Sequence, residues 1–197
     1  LAYGYGFPET RDRMRAFREA VEIVVKMWTD EKASFKGEFY SIDGAINEPK
    51  GVQRPHMPLW LGGGGEKVTL KLVAQWADGC NVGGGNPEVV KQKLGVLREH
   101  CDKLGRDYNS IVRSTGLTVF LLDHGADPEK ATAQVRGTTP YEEYSKGNLV
   151  GTVAQVVERI DALHTAGADY IITYFPRVAY DHTMLERFAT EVMPQFE

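Results

Sequence analysis

Apolar residues recur at alternating steps of three and four near the start of the chain, so they lie on one face of a helix. This pattern predicts a helix from about Thr10 to Trp28. The segment ASFKGEFYSI then alternates around Lys36-Gly37, which predicts a short β-hairpin. The proline-rich segment NEPKGVQRPHMP predicts a connector that is neither a helix nor a central strand.

Four short apolar runs divide the rest of the chain. They read PLWLGGGG, DGCNV, IVRSTGLTVFLL and DYIITYF, and the first is continuous and apolar, as a strand buried on both faces is. Helical spacing lies between them. Strands that alternate with helices predict an α/β fold, in which helices cover a parallel sheet of four strands.

The predicted helices have recognisable ends. One runs from Glu66 to Trp76, and the next has an Asn86 cap, Pro87 at its first position and Gly105 at its end. Asp127-Pro128 begin another, which reaches about Val135. A capping box at Thr152 and Gln155 begins one that Gly167 ends. The segment GTTPYEEYSKGNLVG predicts a polar loop, and HTMLERFATEVMPQF predicts a closing helix.

The four glycines Gly62–Gly65 follow a predicted parallel strand and precede a helix. In α/β proteins this end of the sheet binds ligands. Glycine lets backbone amides approach an anion closely, and the helix dipole favours phosphate. Lys67 could add a charge and Thr69 a hydroxyl. The alternative is a turn with no ligand, because the spacing matches neither a dinucleotide fingerprint nor a P-loop.

A rival anion site lies at GNLVGT, Gly147–Thr152, which also precedes a helix. Its central residues Asn148, Leu149 and Val150 place bulk where a phosphate would lie. We therefore interpret it as a loop and a helix cap, with part of a substrate-site lining as the alternative.

Composition narrows the class of protein. The chain has 197 residues, 42% of them hydrophobic, and a formal net charge of -4 without a long basic run. These features favour one soluble domain with no nucleic-acid partner and no membrane partner. Neither a signal peptide nor metal-ligand spacing is visible, and Cys80 and Cys101 are expected as reduced thiols in a cytoplasmic protein.

An ordered set of motifs carries a resemblance to a known family. The motifs are GFPETRDRMRAFREAVEIVVKMWTDE, FKGEFYSIDGA, RPHMPLWLGGGGEKVTLKLVAQWADGCN and KLGVLREHCDKLGRDYNSI. This set resembles the luciferase-like monooxygenase superfamily, and within it the oxidoreductases that depend on the deazaflavin coenzyme F420. The likeness runs from about Phe7 to Leu122 and continues more weakly to the end.

The resemblance implies a TIM (β/α)8 barrel of the bacterial luciferase-like type, of which this chain matches the C-terminal half. Residues 1–197 would form one domain, with a helix and hairpin insertion at 1–50 and the last four β/α units, strands five to eight, at 51–197. The first four strands have no counterpart here, so we expect a fragment. Its open edges and apolar interior predict instability, aggregation or dimers without the missing half, and barrels of this kind commonly form homodimers.

For function, the resemblance implies hydride transfer between coenzyme F420 and an unknown organic substrate. The segment implied to bind the cofactor's phosphate and side chain is Leu61, Gly62, Gly63, Gly64, Gly65, Glu66, Lys67, Val68 and Thr69. The resemblance names no catalytic residue here, because the groups credited with the chemistry lie mostly on strands one to four. Tyr3, Tyr5 and Phe7 lie where the loop after strand four approaches the ring.

Two further residues are candidates for substrate contact by their position. Asn81 lies at the top of its predicted strand, and Arg177 follows the last strand. Two other functions stay open at this point. One is an FMN-dependent luciferase-like monooxygenase, since its phosphate would need the same glycines. The other is a non-catalytic half-barrel without a reaction centre.

Overall fold

The computed structural model describes residues 3–4 and 6–196. Helix α1 spans Thr10–Thr29, and the antiparallel strands β1 (Ala33–Lys36) and β2 (Ser41–Ala45) follow as a hairpin. Both predictions for this region are therefore confirmed. The Glu19 carboxylate joins the two elements by accepting backbone N–H groups from the hairpin turn at 2.9–3.0 Å: Glu38, Phe39 and Tyr40.

The main sheet is parallel. Its strands are β3 (Trp60–Gly62), β4 (Gly79–Asn81), β5 (Val112–Leu121), β6 (Leu149–Gly151) and β7 (Tyr170–Tyr174). The order begins β3-β4-β5, with β7 on the other side of β5, and β6 pairs with the last three residues of β5. The sheet thus has five strands, and the prediction of four was wrong.

In the described part of the chain, six helices besides α1 lie against this sheet or beside its edges. Helix α1 lies beside the hairpin. The six helices are α2 (Thr69–Trp76), α3 (Pro87–Leu104), α4 (Pro128–Arg136), α5 (Tyr141–Gly147), α6 (Val153–Thr165) and α7 (Thr183–Arg187). The predicted caps are present: the Asn86 side chain accepts N–H groups from Glu88 and Val89, and Gly105 ends α3 with φ of 65°.

The predicted loop over residues 137–151 was wrong, because it contains both α5 and β6. Strand β5 has ten residues, and its last three need a partner beyond the end of the short strand β4. The chain supplies one through Asn148, whose Oδ1 accepts the Thr118 N–H at 2.9 Å, and through Leu149, which is buried.

Two helix predictions need correction at their ends. Helix α2 begins at Thr69 rather than Glu66, because the Leu70 N–H bonds to the Gly65 carbonyl in a wide turn. The closing helix leaves α-helical geometry after Arg187, passes through a π-turn over Phe188–Val192 and ends in a 3-10 turn. Pro194 in that last turn has no N–H to continue a helix.

The two faces of the sheet differ. One face is buried beneath the helices, with Leu61, Cys80 and Leu117 in the core. The other face exposes Trp60 (42%), Tyr170 (55%) and Tyr174 (58%). The Trp60 and Tyr170 rings belong to the strands that flank β4 and β5, yet their centroids are only 6.1 Å apart. The exposed face is therefore concave.

Within the described ranges, no helix is long and apolar enough to cross a membrane.

Candidate cofactor-binding site

The loop after β3, Gly62–Val68, is called the first glycine loop here. It begins at the carboxyl edge of the sheet, where Gly62 still pairs with Asn81 of β4. The Gly63 N–H donates to the Asn81 carbonyl at 2.8 Å, and Gly63 has φ of 118°. That conformation favours glycine. The loop therefore leaves the sheet beside the end of the neighbouring strand.

The amides beyond Gly63 lack protein partners. Among residues 3–4 and 6–196, no acceptor forms a hydrogen bond with the N–H groups of this stretch: Gly64, Gly65, Glu66, Lys67 and Val68. Helix α2 follows directly, so its N-terminal end adds a partial positive charge. The arrangement offers five donors to an anion such as phosphate.

The first glycine loop has an open side and a packed side. At Gly62 an added Cβ would meet nothing within 4 Å. At Gly64 it would lie 3.3 Å from the Val82 carbonyl and 3.4 Å from Lys93 Cε. Thr69 lies against the loop from within, because its Oγ1 would be 2.9 Å from a Cβ on Gly65. Space for a ligand therefore exists on the side of Gly62.

Helix α3 anchors the loop through Glu66. The Glu66 carboxylate accepts from Lys93 Nζ at 2.8 Å and from Gln92 Nε2 at 2.9 Å, and its backbone carbonyl contacts His100 Nε2 at 2.8 Å. The hydrogen bond and the charge of Lys93 lower the pKa of Glu66. Lys67, in contrast, is exposed.

Sequence reasoning missed these three partners on α3. They lie 26 to 34 residues from Glu66, on positions that read as the solvent face of an amphipathic helix. A local motif carries no signal of such a contact, because the fold alone brings α3 beside the loop.

Asn81 is oriented by its own loop. Its Oδ1 accepts the Gly83 N–H at 2.9 Å, so the other end of the carboxamide must be the donor Nδ2. A Cβ on Gly116 would lie 3.3 Å from Nδ2 and 3.4 Å from the Tyr174 ring. Asn81 and Tyr174 therefore meet over Gly116 on the concave face, beside the first glycine loop.

Arg177 lies outside both glycine loops and follows a different strand. It is exposed, it adopts a positive φ of 62°, and it follows β7 at the opposite edge of the sheet from β3. There it lines a separate groove of about 530 Å³ with α4 residues Gln134 and Val135.

Two of the three aromatic residues near the start of the chain, Tyr3 and Phe7, lie among the described residues. The Phe7 ring lies 4.1 Å from the Arg13 guanidinium carbon, and Tyr3 is exposed. Tyr5 lies outside the described residues.

Protein hydrogen bonds pair the amides of the second glycine segment and cap the helix at the rival site. In the second glycine loop, Gly83–Gly85, each amide has an acceptor: Asn81 Oδ1, the Gly116 carbonyl and the Gly147 carbonyl. At the rival site, the Thr152 N–H donates to Gln155 Oε1 at 2.9 Å, which confirms the predicted cap. The run of unpaired amides in the first glycine loop therefore has no counterpart in the second glycine loop.

Comparison with known proteins identifies the family. The family model described as luciferase-like monooxygenase matches residues 2–148. The chain therefore belongs to the luciferase-like monooxygenase family, as the motif set predicted. Members of this family include oxidoreductases and monooxygenases.

Two curated relatives illustrate the range of cofactors. An F420-dependent glucose-6-phosphate dehydrogenase from Kineococcus radiotolerans is 32% identical over 141 residues, which are 71% of this chain and 40% of that protein. An FMNH(2)-dependent dimethylsulfone monooxygenase from Pseudomonas putida is 26% identical over 225 aligned positions, which cover 98% of this chain and 61% of that protein. The chain thus spans about half the length of the curated relatives it matches.

A solved structure supports the fold. An F420-dependent secondary alcohol dehydrogenase, in complex with an F420-acetone adduct, superposes with a TM-score of 0.77 at 17% identity. The match covers 98% of this chain and 64% of that chain. At this identity the likeness establishes the α/β fold with its parallel sheet, which is similar to the luciferase-like barrel enzymes.

Proposed function

We propose that this chain belongs to an oxidoreductase that transfers a hydride between coenzyme F420 and an organic substrate. The observation that carries the proposal is the run of unpaired amides in the first glycine loop, at the end of a parallel strand and the start of α2. Unpaired donors at this position suit the phosphate of a cofactor tail. Lys67 and Thr69 belong to the same binding segment.

The residues present fit a phosphate-bearing coenzyme. The side of the loop at Gly62 is open, five amides lack protein partners, and Lys93 adds a cation beside Gly64. When bound, the deazaflavin supplies the hydride chemistry at its C5 atom. The role of this chain is to hold the tail and to position the ring over the concave face, where Asn81 presents its Nδ2 and Tyr174 its exposed ring.

A second candidate is an FMN-dependent monooxygenase. The specific observation in its favour is the alignment with the Pseudomonas putida enzyme, which covers 98% of this chain against 71% for the Kineococcus radiotolerans dehydrogenase. The terminal phosphate of FMN would use the same amides. The glycines therefore do not distinguish the two coenzymes.

We also propose that β3, β4, β5 and β7 are neighbouring strands of a barrel, the counterparts of strands five to eight. Support comes from the concave face, where Trp60 reaches Tyr170 across two strands. A glycine in each central strand leaves room for this curvature, since Trp60 lies against Gly79, and Asn81 and Tyr174 lie over Gly116. Side chains that meet in layers fill the interior of such barrels.

Titration of the intrinsic fluorescence of coenzyme F420 with the purified protein tests the proposal, with FMN titrated in parallel. Saturable quenching of F420, with at least tenfold weaker binding of FMN, is the expected result. The reverse preference would replace the proposal with the FMN-dependent alternative. No response to either coenzyme would contradict both and favour a half-barrel without a reaction centre.

A further inference from the structure

Two lysines lie in or near the first glycine loop, and they differ in exposure and in the element that carries them. Lys67 is part of the loop and is exposed. Lys93 comes from α3, and its side chain is only 24% exposed. Its Cε and Cδ would lie 3.4 and 3.6 Å from a Cβ on Gly64, so its stem passes directly beside the glycine. The ordered cation of the loop is therefore supplied by α3.

The Lys93 ammonium is held by one carboxylate. Its Nζ donates to Glu66 Oε1 at 2.8 Å, and Gln92 shares the same oxygen. An ammonium has three N–H donors. Within the described residues Glu66 is the one partner of Nζ, so two donors are left for a ligand. Glu66 thus holds Nζ, and the lysine stem lies beside Gly64.

We propose that Lys93 is the cation that binds the cofactor's phosphate, and that Glu66 restrains Lys93 and lowers the affinity of the site. This inference rests on the proposed function. The amides of Gly64–Val68 contact the phosphate oxygens, and Lys93 donates to the same group. The Glu66 carboxylate places Lys93 correctly, but its negative charge lies beside an anionic ligand and opposes binding.

Opposite effects follow for the two partners. Lys93→Met removes a charge-assisted donor and lowers the affinity for phosphate-bearing ligands about tenfold or more. Glu66→Gln keeps an oxygen that accepts from Lys93 and Gln92 but removes the negative charge. This variant raises the affinity for the same ligands about three- to tenfold. A carboxylate that served only as an anchor for the loop would give weaker binding on removal.

Matched ligands separate phosphate recognition from every other contact. FMN is compared with riboflavin, and coenzyme F420 with its chromophore lacking the phosphate tail. Dissociation constants are measured by fluorescence for the wild type, Lys93→Met, Lys93→Arg and Glu66→Gln. The changes appear for FMN or F420, whichever the wild type binds, and stay below about twofold for the phosphate-free partner. Lys93→Arg keeps the charge and loses less affinity than Lys93→Met.

Two exposed lysines serve as controls. Lys91→Met and Lys103→Met each remove a charge from the same helix, and each changes affinity less than about threefold. A wild type that binds neither coenzyme contradicts the proposed function and this inference with it. A wild type that binds, with Lys93→Met unchanged or Glu66→Gln weakened, overturns the inference alone.

Discussion

The two glycine loops at the carboxyl edge of the sheet look alike in sequence but differ in structure. Both follow a short parallel strand, and both contain consecutive glycines. In the second loop every amide from Gly83 to Gly85 donates to an acceptor of this chain. In the first loop the amides beyond Gly63 have no such acceptor among the described residues.

Glycine therefore serves two purposes at one edge. A Cβ on Gly85 would lie 2.9 Å from the Gly147 carbonyl oxygen, so this glycine permits backbone packing. A Cβ on Gly62 would meet nothing within 4 Å, so the fold does not require its small size. A buried amide without a partner is costly, whereas an exposed one is available to a ligand. The two loops therefore differ in the hydrogen bonds of their amides, although both are rich in glycine.

The largest expected effect is on ligand affinity at the first loop. Gly62→Val should weaken coenzyme binding about 100-fold, because the side chain enters the space of the ligand. Its backbone φ is ordinary and its surroundings are open, so the free energy of unfolding should change by less than about 1 kcal/mol. Gly63 is a poorer choice, since its φ of 118° adds strain.

Fluorescence titration and urea denaturation of the same preparation check both parts. Gly95→Ala is the control, because this exposed glycine of α3 also has open surroundings. An unchanged coenzyme affinity in Gly62→Val would show that the ligand does not bind at the first glycine loop.

The second loop should respond in the opposite way. Gly85→Ala forces a methyl group toward the Gly147 carbonyl at 2.9 Å and Leu117 Cδ2 at 3.1 Å. Overpacking of this kind costs about 1–3 kcal/mol of unfolding free energy. The folded variant should bind the coenzyme as the wild type does. Denaturation with urea measures the loss, and a variant of wild-type stability that binds weakly would reverse the roles of the two loops.

A smaller effect tests how Asn81 closes the second loop. Asn81→Ala removes the acceptor of the Gly83 N–H and should cost about 1 kcal/mol. Asn81→Asp keeps an acceptor oxygen, so its free energy of unfolding should fall by less than about 0.5 kcal/mol. Equal losses in the two variants, measured by denaturation at pH 7, would show that this hydrogen bond does not hold the loop.

The smallest effect is a pH dependence at the first loop. The pKa of Glu66 is lowered by Lys93, so its contribution to stability is present above the unfolded-state pKa and is lost as pH falls through the folded-state value. Glu66→Gln should therefore be less stable than the wild type near neutral pH, and the two curves should converge in acid. Denaturation between about pH 3 and pH 7 tests this sign. Parallel curves would contradict it.

Much of the fold could be predicted because local patterns and packing agree. The apolar spacing of α1, the Asn86 cap and the capping box at Thr152 each act within a few residues. The carboxyl edge, where the glycines lie, follows from the alternation of strands and helices.

The missed features depend on distant partners. Leu149–Gly151 form a strand because the long strand β5 offers an unpaired edge, and short apolar segments carry no periodicity of their own. Lys93, Gln92 and His100 reach the first glycine loop only after α3 packs against α2. Likewise, the difference between the two glycine loops lies in acceptors from other strands and loops.

The most direct test is backbone amide NMR of the labelled protein during titration with the coenzyme it binds. The resonances of Gly64–Val68 should shift and their hydrogen exchange should slow, since these N–H groups gain phosphate acceptors. The phosphate-free chromophore should leave them unchanged, and Gly83–Gly85 should keep the protection that their protein acceptors already give. Phosphate-dependent changes at Gly83–Gly85, with none at Gly64–Val68, would contradict the assignment of the first glycine loop as the anion site.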